Sequence, residues 1–342
     1  MDSNLLLSDS DMSRLGATGN WSDIAHALLM QQQETWELLH TNYDGLEAVE
    51  TRTFEIEGFT YRVQFNPGRI TSSSAKVDEK SIRERKCFLC SENLPSAQRA
   101  VKFDNDYLIL CNPFPIFPEH YTIPYMRHIP QEIDHSFGTL LQLSKALEDR
   151  YTVFYNGPKC GASAPDHLHF QAGNKGFMPI DGEYESIITS VGEKIGDVKG
   201  LLVFAVGDFL RRFISFESDD AELLLKIFGS FCAVAGELST TPEEPMMNIL
   251  SSYQEGEWRV IVFPRAKHRP SFFFEEGENR ILISPAGVDF GGLVTTPVEK
   301  DFRKLTEEHL VRMFAEVACS AESFARLVSR LSERIATLDR ES

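Results

Sequence analysis

The stretch Gly157-Pro-Lys-Cys-Gly-Ala-Ser-Ala-Pro-Asp-His-Leu-His-Phe-Gln171 sets two histidines at i and i+2 and a glutamine at i+4, directly behind a loop rich in Gly, Ser and Pro. That spacing predicts an extended strand with His167, His169 and Gln171 on one face and Leu168 and Phe170 on the other. The alternation alone is ordinary for a half-exposed strand, so the polar row takes its meaning from the chain around it.

Outward from this stretch the pattern is mixed. Tyr151-Thr-Val-Phe-Tyr155 reads as a short buried strand, and residues 131–149 read as an amphipathic helix through Leu140, Leu141, Leu143 and Leu147. Strands are predicted at 107–111 and 121–124, flanking a proline-rich connector, Asn112 to His120. Residues 53–65 alternate on both sides of Glu57-Gly58, the pattern of a hairpin. They run into a polar loop, 66–76, that holds Arg69 and Lys76 among hydroxyls. A helix is predicted over 20–42 with Ser22 as N-cap. Further on, 219–238 has helical periodicity, 247–250 and 258–263 read as strands, and 306–337 as a closing helix. The order strand, strand, proline turn, helix occurs twice, with His128 after the first turn and His268 inside the second, which points to an internal duplication.

Composition narrows the class. A chain of 342 residues, 42% hydrophobic and 25% charged, with a net charge of −17, is globular and unlike a nucleic-acid coat. Its first residues do not form a signal peptide, and no run approaches the roughly 18 apolar residues of a membrane span. Six cysteines, two of them in Cys87-Phe-Leu-Cys90, suit a reducing cytoplasmic setting.

Three groups of residues carry chemistry. Cys87 and Cys90 offer two thiolates at the bite of a tetrahedral zinc, which needs two more ligands; His120, His128 and His167 are the candidates, with His120 and His128 unranked. His169 is the candidate nucleophile, because a neutral imidazole can attack phosphorus directly and give a covalent nucleotidyl-histidine. Gln171 is placed to donate its amide to a phosphate oxygen. The loop 157–163 would supply backbone N–H groups, the Ser163 hydroxyl and the charge of Lys159 to the leaving phosphate. Asn156 and Gly161 are counted with these substrate-binding residues. Arg265, Lys267 and Arg269 read either as a solvated turn or as substrate contacts, and Phe272–Phe274 as core.

Residues 161–171 resemble the active-site strand of the histidine-triad superfamily in its transferase branch. That branch includes galactose-1-phosphate uridylyltransferase, diadenosine tetraphosphate phosphorylase and the GDP-hexose phosphorylases. A glutamine at position 171, where the hydrolase branch has a third histidine, marks the enzymes that pass a nucleotidyl group to a phosphate acceptor. The resemblance implies His169 as nucleophile, Gln171 and Ser163 on the phosphates, and a structural zinc held by Cys87, Cys90, His128 and His167. It also implies substrate contacts for Asn112 and Phe114 in the proline-rich connector, for Arg69 and Lys76, and for Arg265.

The expected fold is α+β: two histidine-triad-like halves of antiparallel sheet with packed helices, pseudo-symmetric. Residues 1–50 form a helical N-terminal segment, 51–180 the catalytic half with the zinc site, and 181–342 a degenerate second half with a C-terminal helix. The expected activity is nucleotidyl transfer or phosphorolysis on a nucleoside diphosphate-sugar, GDP-hexose favoured, or a dinucleoside polyphosphate. The acceptor is phosphate or a sugar 1-phosphate, with no nucleic acid or membrane as partner. A nucleotide hydrolase of the histidine-triad type and a zinc-stabilised, non-catalytic nucleotide-binding protein are the alternatives. A homodimer stays open, since the pseudo-symmetric unit is complete as a monomer too.

Overall fold

In the computed structural model, residues 5–341 are described apart from 18, 76, 209 and 240–242, and the side chains of 339–341 are left aside. The strands are β1 (Glu50–Ile56), β2 (Phe59–Phe65), β3 (Ala100–Phe103), β4 (Tyr107–Cys111), β5 (His120–Pro124), β6 (Tyr151–Asn156) and β7 (His169–Asn174). They continue as β8 (Glu193–Val198), β9 (Leu201–Val206), β10 (Phe213–Ser218), β11 (Met247–Gln254), β12 (Glu257–Pro264) and β13 (Leu293–Thr296). Ten of them make one antiparallel sheet in the order β3-β4-β5-β7-β6-β11-β12-β10-β9-β8.

That order is a palindrome of one unit. Three strands, a helix and two strands (β3, β4, β5, helix Phe137–Ala146, β6, β7) are followed by the same series (β8, β9, β10, helix Ala221–Leu238, β11, β12). The halves join where β6 pairs antiparallel with β11, Asn156 opposite Asn248. Their helices also meet, with the rings of Phe137 and Phe228 stacked at 3.8 Å. The two pseudo-symmetric halves expected from the sequence are therefore present, but the repeat is placed differently. Strands β11 and β12 correspond to β6 and β7, not to the pair flanking the proline-rich connector. Thus β12 stands where β7 stands, carrying Trp258-Arg-Val-Ile-Val-Phe263 in place of the histidine strand.

Both faces of the sheet are covered. In β6, Tyr151, Val153 and Tyr155 join one core with the two repeat helices and the N-terminal helix Trp21–Thr35, while Phe154 joins a second core on the other face. In β7, Phe170 and Ala172 go to the first core, so the period of two turns His169 and Gln171 to the opposite face. On that face lies a small sheet, β1-β2-β13, in which β13 runs parallel to β2. It links the predicted halves: a strand from residues 293–296 completes a hairpin from 50–65. The hairpin turn is Glu57-Gly58 as expected, both residues at positive φ (54° and 83°), which a two-residue turn of this hand requires.

Several predicted helices are cut or moved. The helix expected over 20–42 is two, Trp21–Thr35 and Glu37–Asp44, because Trp36 is extended (φ −124°, ψ 94°). Its N-cap is Asn20, whose side chain accepts from the N–H of Asp23, not Ser22. The closing helix is also two, Glu307–Val317 and Ala321–Glu341, broken where Ala318 bridges to Arg265. No helix among the described residues is long and apolar enough to cross a membrane.

Candidate active site

A cleft of about 650 Å³ opens on the sheet face that carries His169 and Gln171. Its walls come from the loop after β2, the proline-rich connector, the loop 161–163 and residues 284–295 of the second half. Of the residues singled out from the sequence, His169, Gln171, Ser163, Gly161, Asn156, Asn112, Phe114 and Arg69 line it. Lys76 lies outside the described residues.

His169 is 3% exposed. Its Nδ1 donates to the carbonyl of His167 at 2.8 Å, which leaves the Nε2 lone pair uncommitted. Burial pushes its pKa down to about 4, so the imidazole is neutral. Gln131 fastens the backbone on both sides, accepting from the N–H of His169 at 2.7 Å and donating to its carbonyl at 3.0 Å.

Gln171 is oriented by His120, which the sequence offered as a metal ligand at the end of the proline-rich connector. The N–H of Ile116 donates to His120 Nδ1 at 3.2 Å, so Nε2 carries the ring proton and donates to Gln171 Oε1 at 3.1 Å. The amide –NH₂ of Gln171 is then the end left for a ligand. His120 is fully buried and its pKa falls to about 3, chiefly through burial and secondarily through the charge of Arg69. In an unfolded chain the same imidazole titrates near 6.5. Between those values the unfolded state holds a proton that the folded state refuses, so stability is full above about pH 6.5 and is lost as pH falls toward 3. Relative to wild type, His120→Phe is expected to lose about 2 kcal/mol less stability between pH 7 and pH 5, read from denaturant midpoints at the two values.

The loop ahead of β7 is shaped by Gly161, at φ +94°. A Cβ there would stand 2.6 Å from Ala286 Cβ and 2.9 Å from its Cα. Gly161→Ala is expected to cost about 1–3 kcal/mol and to lower the thermal midpoint, since both the backbone and the contact with residues 285–286 resist it.

Other expected contacts are reassigned. Lys159 points away from the cleft and pairs with Glu243 beside a separate small cavity. The chain turns back at Cys160, whose N–H donates to Gly157 O, and this turns the Lys159 side chain outward. Arg265 is 6% exposed and serves the scaffold. It donates to Asn248 Oδ1 (2.5 Å) and to the carbonyls of Pro285, Lys267 and His268. Asn248 in turn donates to Asn156 Oδ1, which also accepts from the N–H of Gly287. Its neighbour Arg269 is the cation of that turn which lines the cleft, held by Ser284 Oγ and the carbonyl of Ala75. Arg69 donates to Phe114 O at 2.6 Å, and burial lowers its pKa to about 10. Asp289, which no motif marked, also lines the cleft; burial raises its pKa to about 6 against the N–H donors of Ala286 and Thr295. Phe272 and Phe273 are core, while Phe274 is 70% exposed.

His167 does not share the face of His169 and Gln171. It precedes β7, is fully buried, and turns toward Cys87 and Cys90. The ligand atoms of Cys87, Cys90, His128 and His167 all lie within 4.8 Å of one another. His167 Nδ1 is 3.2 Å from Cys87 Sγ, and His128 Nδ1 is 3.3 Å from Cys90 Sγ. A tetrahedral zinc sets its sulfur and nitrogen ligands ~3.6 Å apart, so this donor set fits that ion. His167 Nε2 donates to Tyr125 O at 2.7 Å, which aims the lone pair of Nδ1 at the cluster. His128 completes the group; His120 belongs to Gln171 instead.

Residues 28–174 match the family described as a domain of unknown function, DUF4922, and residues 185–338 match the GDPGP1-like, C-terminal domain. Among solved structures, the yeast Ap4A phosphorylase Apa2 aligns with TM-score 0.55 and 17% identity, covering 83% of this chain and 97% of that one. Its complex with AMP gives 0.53 and 18% over 83% and 94%, and its complex with Ap4A gives 0.52 and 18% over 84% and 97%. A search of curated proteins returned no match. The chain therefore shares the fold of the yeast Ap4A phosphorylase Apa2, and its C-terminal half is matched by the GDPGP1-like domain.

Proposed function

We propose that this protein is a nucleotidyltransferase that works through a covalent nucleotidyl-His169, with a nucleoside diphosphate-hexose as donor, GDP-hexose favoured. The observation that carries this is the hydrogen bond from His169 Nδ1 to the carbonyl of His167, which leaves a neutral nucleophilic nitrogen on the cleft. Nε2 attacks the α-phosphorus; a P–N bond forms, the bond to the bridging oxygen breaks, and hexose 1-phosphate leaves. An oxygen of inorganic phosphate or of a sugar 1-phosphate then attacks the same phosphorus and the P–N bond breaks, returning the imidazole. The Gln171 amide donates to a non-bridging oxygen in both steps, and Ser163 and the backbone around Gly161 meet the departing phosphate. Both steps need water kept out, which suits a buried imidazole.

The GDPGP1-like match over residues 185–338 supports the GDP-hexose donor. A second donor class, dinucleoside polyphosphates, is supported by the shared fold with the Ap4A phosphorylase. Zinc on Cys87, Cys90, His128 and His167 has a structural part, holding the loop that ends in the nucleophile. The working unit is the catalytic half 51–180 with the second half 181–342 closing the cleft, in a cytoplasmic setting that keeps the cysteines reduced.

Intact-mass spectrometry after exposure to GDP-, UDP- and ADP-sugars and diadenosine polyphosphates, without acceptor, tests the reading. A gain of one nucleoside monophosphate is expected, lost again when phosphate is added. No gain with any donor from a folded, metal-loaded sample would leave only a nucleotide-binding protein.

A further inference from the structure

Asn156 and Asn248 stand opposite each other where β6 and β11 join the two halves. Asn156 lines the cleft, whereas Asn248 is fully buried and out of reach of any ligand there. A line of donors running inward from Arg265 fixes how both amides point. A guanidinium has no acceptor, so Arg265 Nη1 meets the oxygen of Asn248, Oδ1, at 2.5 Å. That turns Asn248 Nδ2 the other way, and it donates to Asn156 Oδ1 at 2.8 Å and to Cys160 O at 2.7 Å. The N–H of Gly287 donates to the same Asn156 oxygen at 2.7 Å. The second half thus fills Asn156 Oδ1 from two sides. Nδ2, with no partner among the described residues, is the end left for the cleft. The turn 157–160 hangs from the same strand, since Gly157 N–H donates to Met247 O at 3.1 Å.

We propose that Asn248 is a positioning residue for the transfer step: it holds Asn156 with its amide donor toward the reacting phosphate. The half without the histidine strand thereby takes a part in the chemistry. The inference rests on the nucleotidyl-transfer reading for what Nδ2 meets, and on the hydrogen bonds alone for which way it points. A donor already aimed, with no competing partner, stabilises charge on a phosphate oxygen without having to reorganise. With the amide reversed, an acceptor oxygen would face the phosphate and repel it. Asn248→Asp makes that reversal favourable. It keeps an acceptor for Arg265, now in an ion pair, but sets a carboxylate oxygen where the donor to Asn156 stood. The carboxylate draws Asn156 Nδ2 more strongly than the Gly287 N–H draws Oδ1, because charge-assisted hydrogen bonds are roughly twice as strong as neutral ones.

A double-mutant cycle on the rate of adduct formation tests this in the full-length, metal-loaded protein, with the donor of the panel above that charges the wild type. Asn248→Asp is expected to slow the step about 100-fold at saturating donor and to change KM by less than about 3-fold. In an Asn156→Ala background the same substitution is expected to cost only about 3-fold, the share left to Cys160 O. A merely structural Asn248 would give equal losses in both backgrounds, and that result would overturn the proposal. Side-chain amide NMR of the wild type, with isotopically labelled asparagine, keeps the test open should Asn248→Asp fail to fold. The Nδ2 protons of Asn248 are expected to exchange slowly with solvent, and those of Asn156 to exchange faster and to shift when GMP or AMP is added. Slow exchange at Asn156, or no shift with either nucleotide, would also overturn the proposal. A wild type that shows the shift but forms no adduct would instead overturn the transfer reading and leave the orientation of Asn156 standing.

Discussion

Replacing His169 with alanine is expected to abolish the nucleotidyl adduct and to lower turnover by on the order of 10⁴-fold or more, with little change in thermal stability. The two outcomes separate because the side chain and the backbone of this residue do different work. The bonds to Gln131 that pin the strand go through the backbone N–H and C=O of His169, and both survive the substitution. Among the described residues the imidazole makes only the Nδ1 bond to His167 O, and it otherwise borders the cleft. Its removal opens space onto that cleft, so His169→Gly is expected to recover part of its activity with free imidazole. Intact mass and kcat, measured beside a thermal melt, check the expectation. An adduct that persists in His169→Ala would move the nucleophile elsewhere.

Gln171→Ala is a useful contrast, because in the proposed mechanism its amide would assist transfer without forming a bond to phosphorus. The adduct should still form there, more slowly. His120 acts through Gln171, since its Nε2 proton fixes which end of the amide meets the ligand.

What could be read from the sequence follows from how local each signal is. Strands β4, β6 and β7 and the Glu57-Gly58 hairpin were legible because alternation and turn residues lie within a few positions. The strands β8–β10 were not. Their residues alternate weakly, and β8 is mostly exposed or half-buried, so its pairing comes from long-range register. The edge strand β13 takes its conformation from β2, some 230 positions away in the chain, and nothing in Leu293–Thr296 announces that. Residue type was likewise a good guide where chemistry demands it, as for the two cysteines, and a poor one for charge. Arg265 and Arg269 are four apart with the same side chain. Carbonyls and Asn248 enclose the first, while the second borders the cleft, and only the register of the turn after β12 separates them. The choice between His120 and His128 was decided in the same way. His120 lies within β5, paired opposite Gly173, and so alternates with Thr122 toward the cleft face, whereas His128 lies beyond the strand beside Cys90.

Cys87→Ser is expected to take metal content from one equivalent per chain to well below half and to lower the unfolding midpoint modestly. The free energy of binding a structural zinc is folding free energy, apparent values for isolated zinc fingers being on the order of 10–16 kcal/mol. Here a large core folds beside the site, so the loss should fall mainly on the loop 157–168 and the knuckle 87–90 rather than on the whole chain. Activity should fall with it, although none of the four ligands lines the cleft. His167 presents its ring to Cys87 and Cys90 and its carbonyl to His169 Nδ1, so in the proposed mechanism one residue would tie the metal to the tautomer of the nucleophile. Freed from the cluster, His167 no longer fixes that carbonyl, and His169 can carry its proton on the nitrogen that must attack. The expected signature is therefore a fall in kcat larger than any rise in KM, with nucleotide binding largely kept. Elemental analysis, thermal unfolding and the rate of adduct formation check the three parts. A native protein with less than half an equivalent of zinc, or a Cys87→Ser variant that keeps both its metal and its rate, would break the link between the knuckle and the nucleophile.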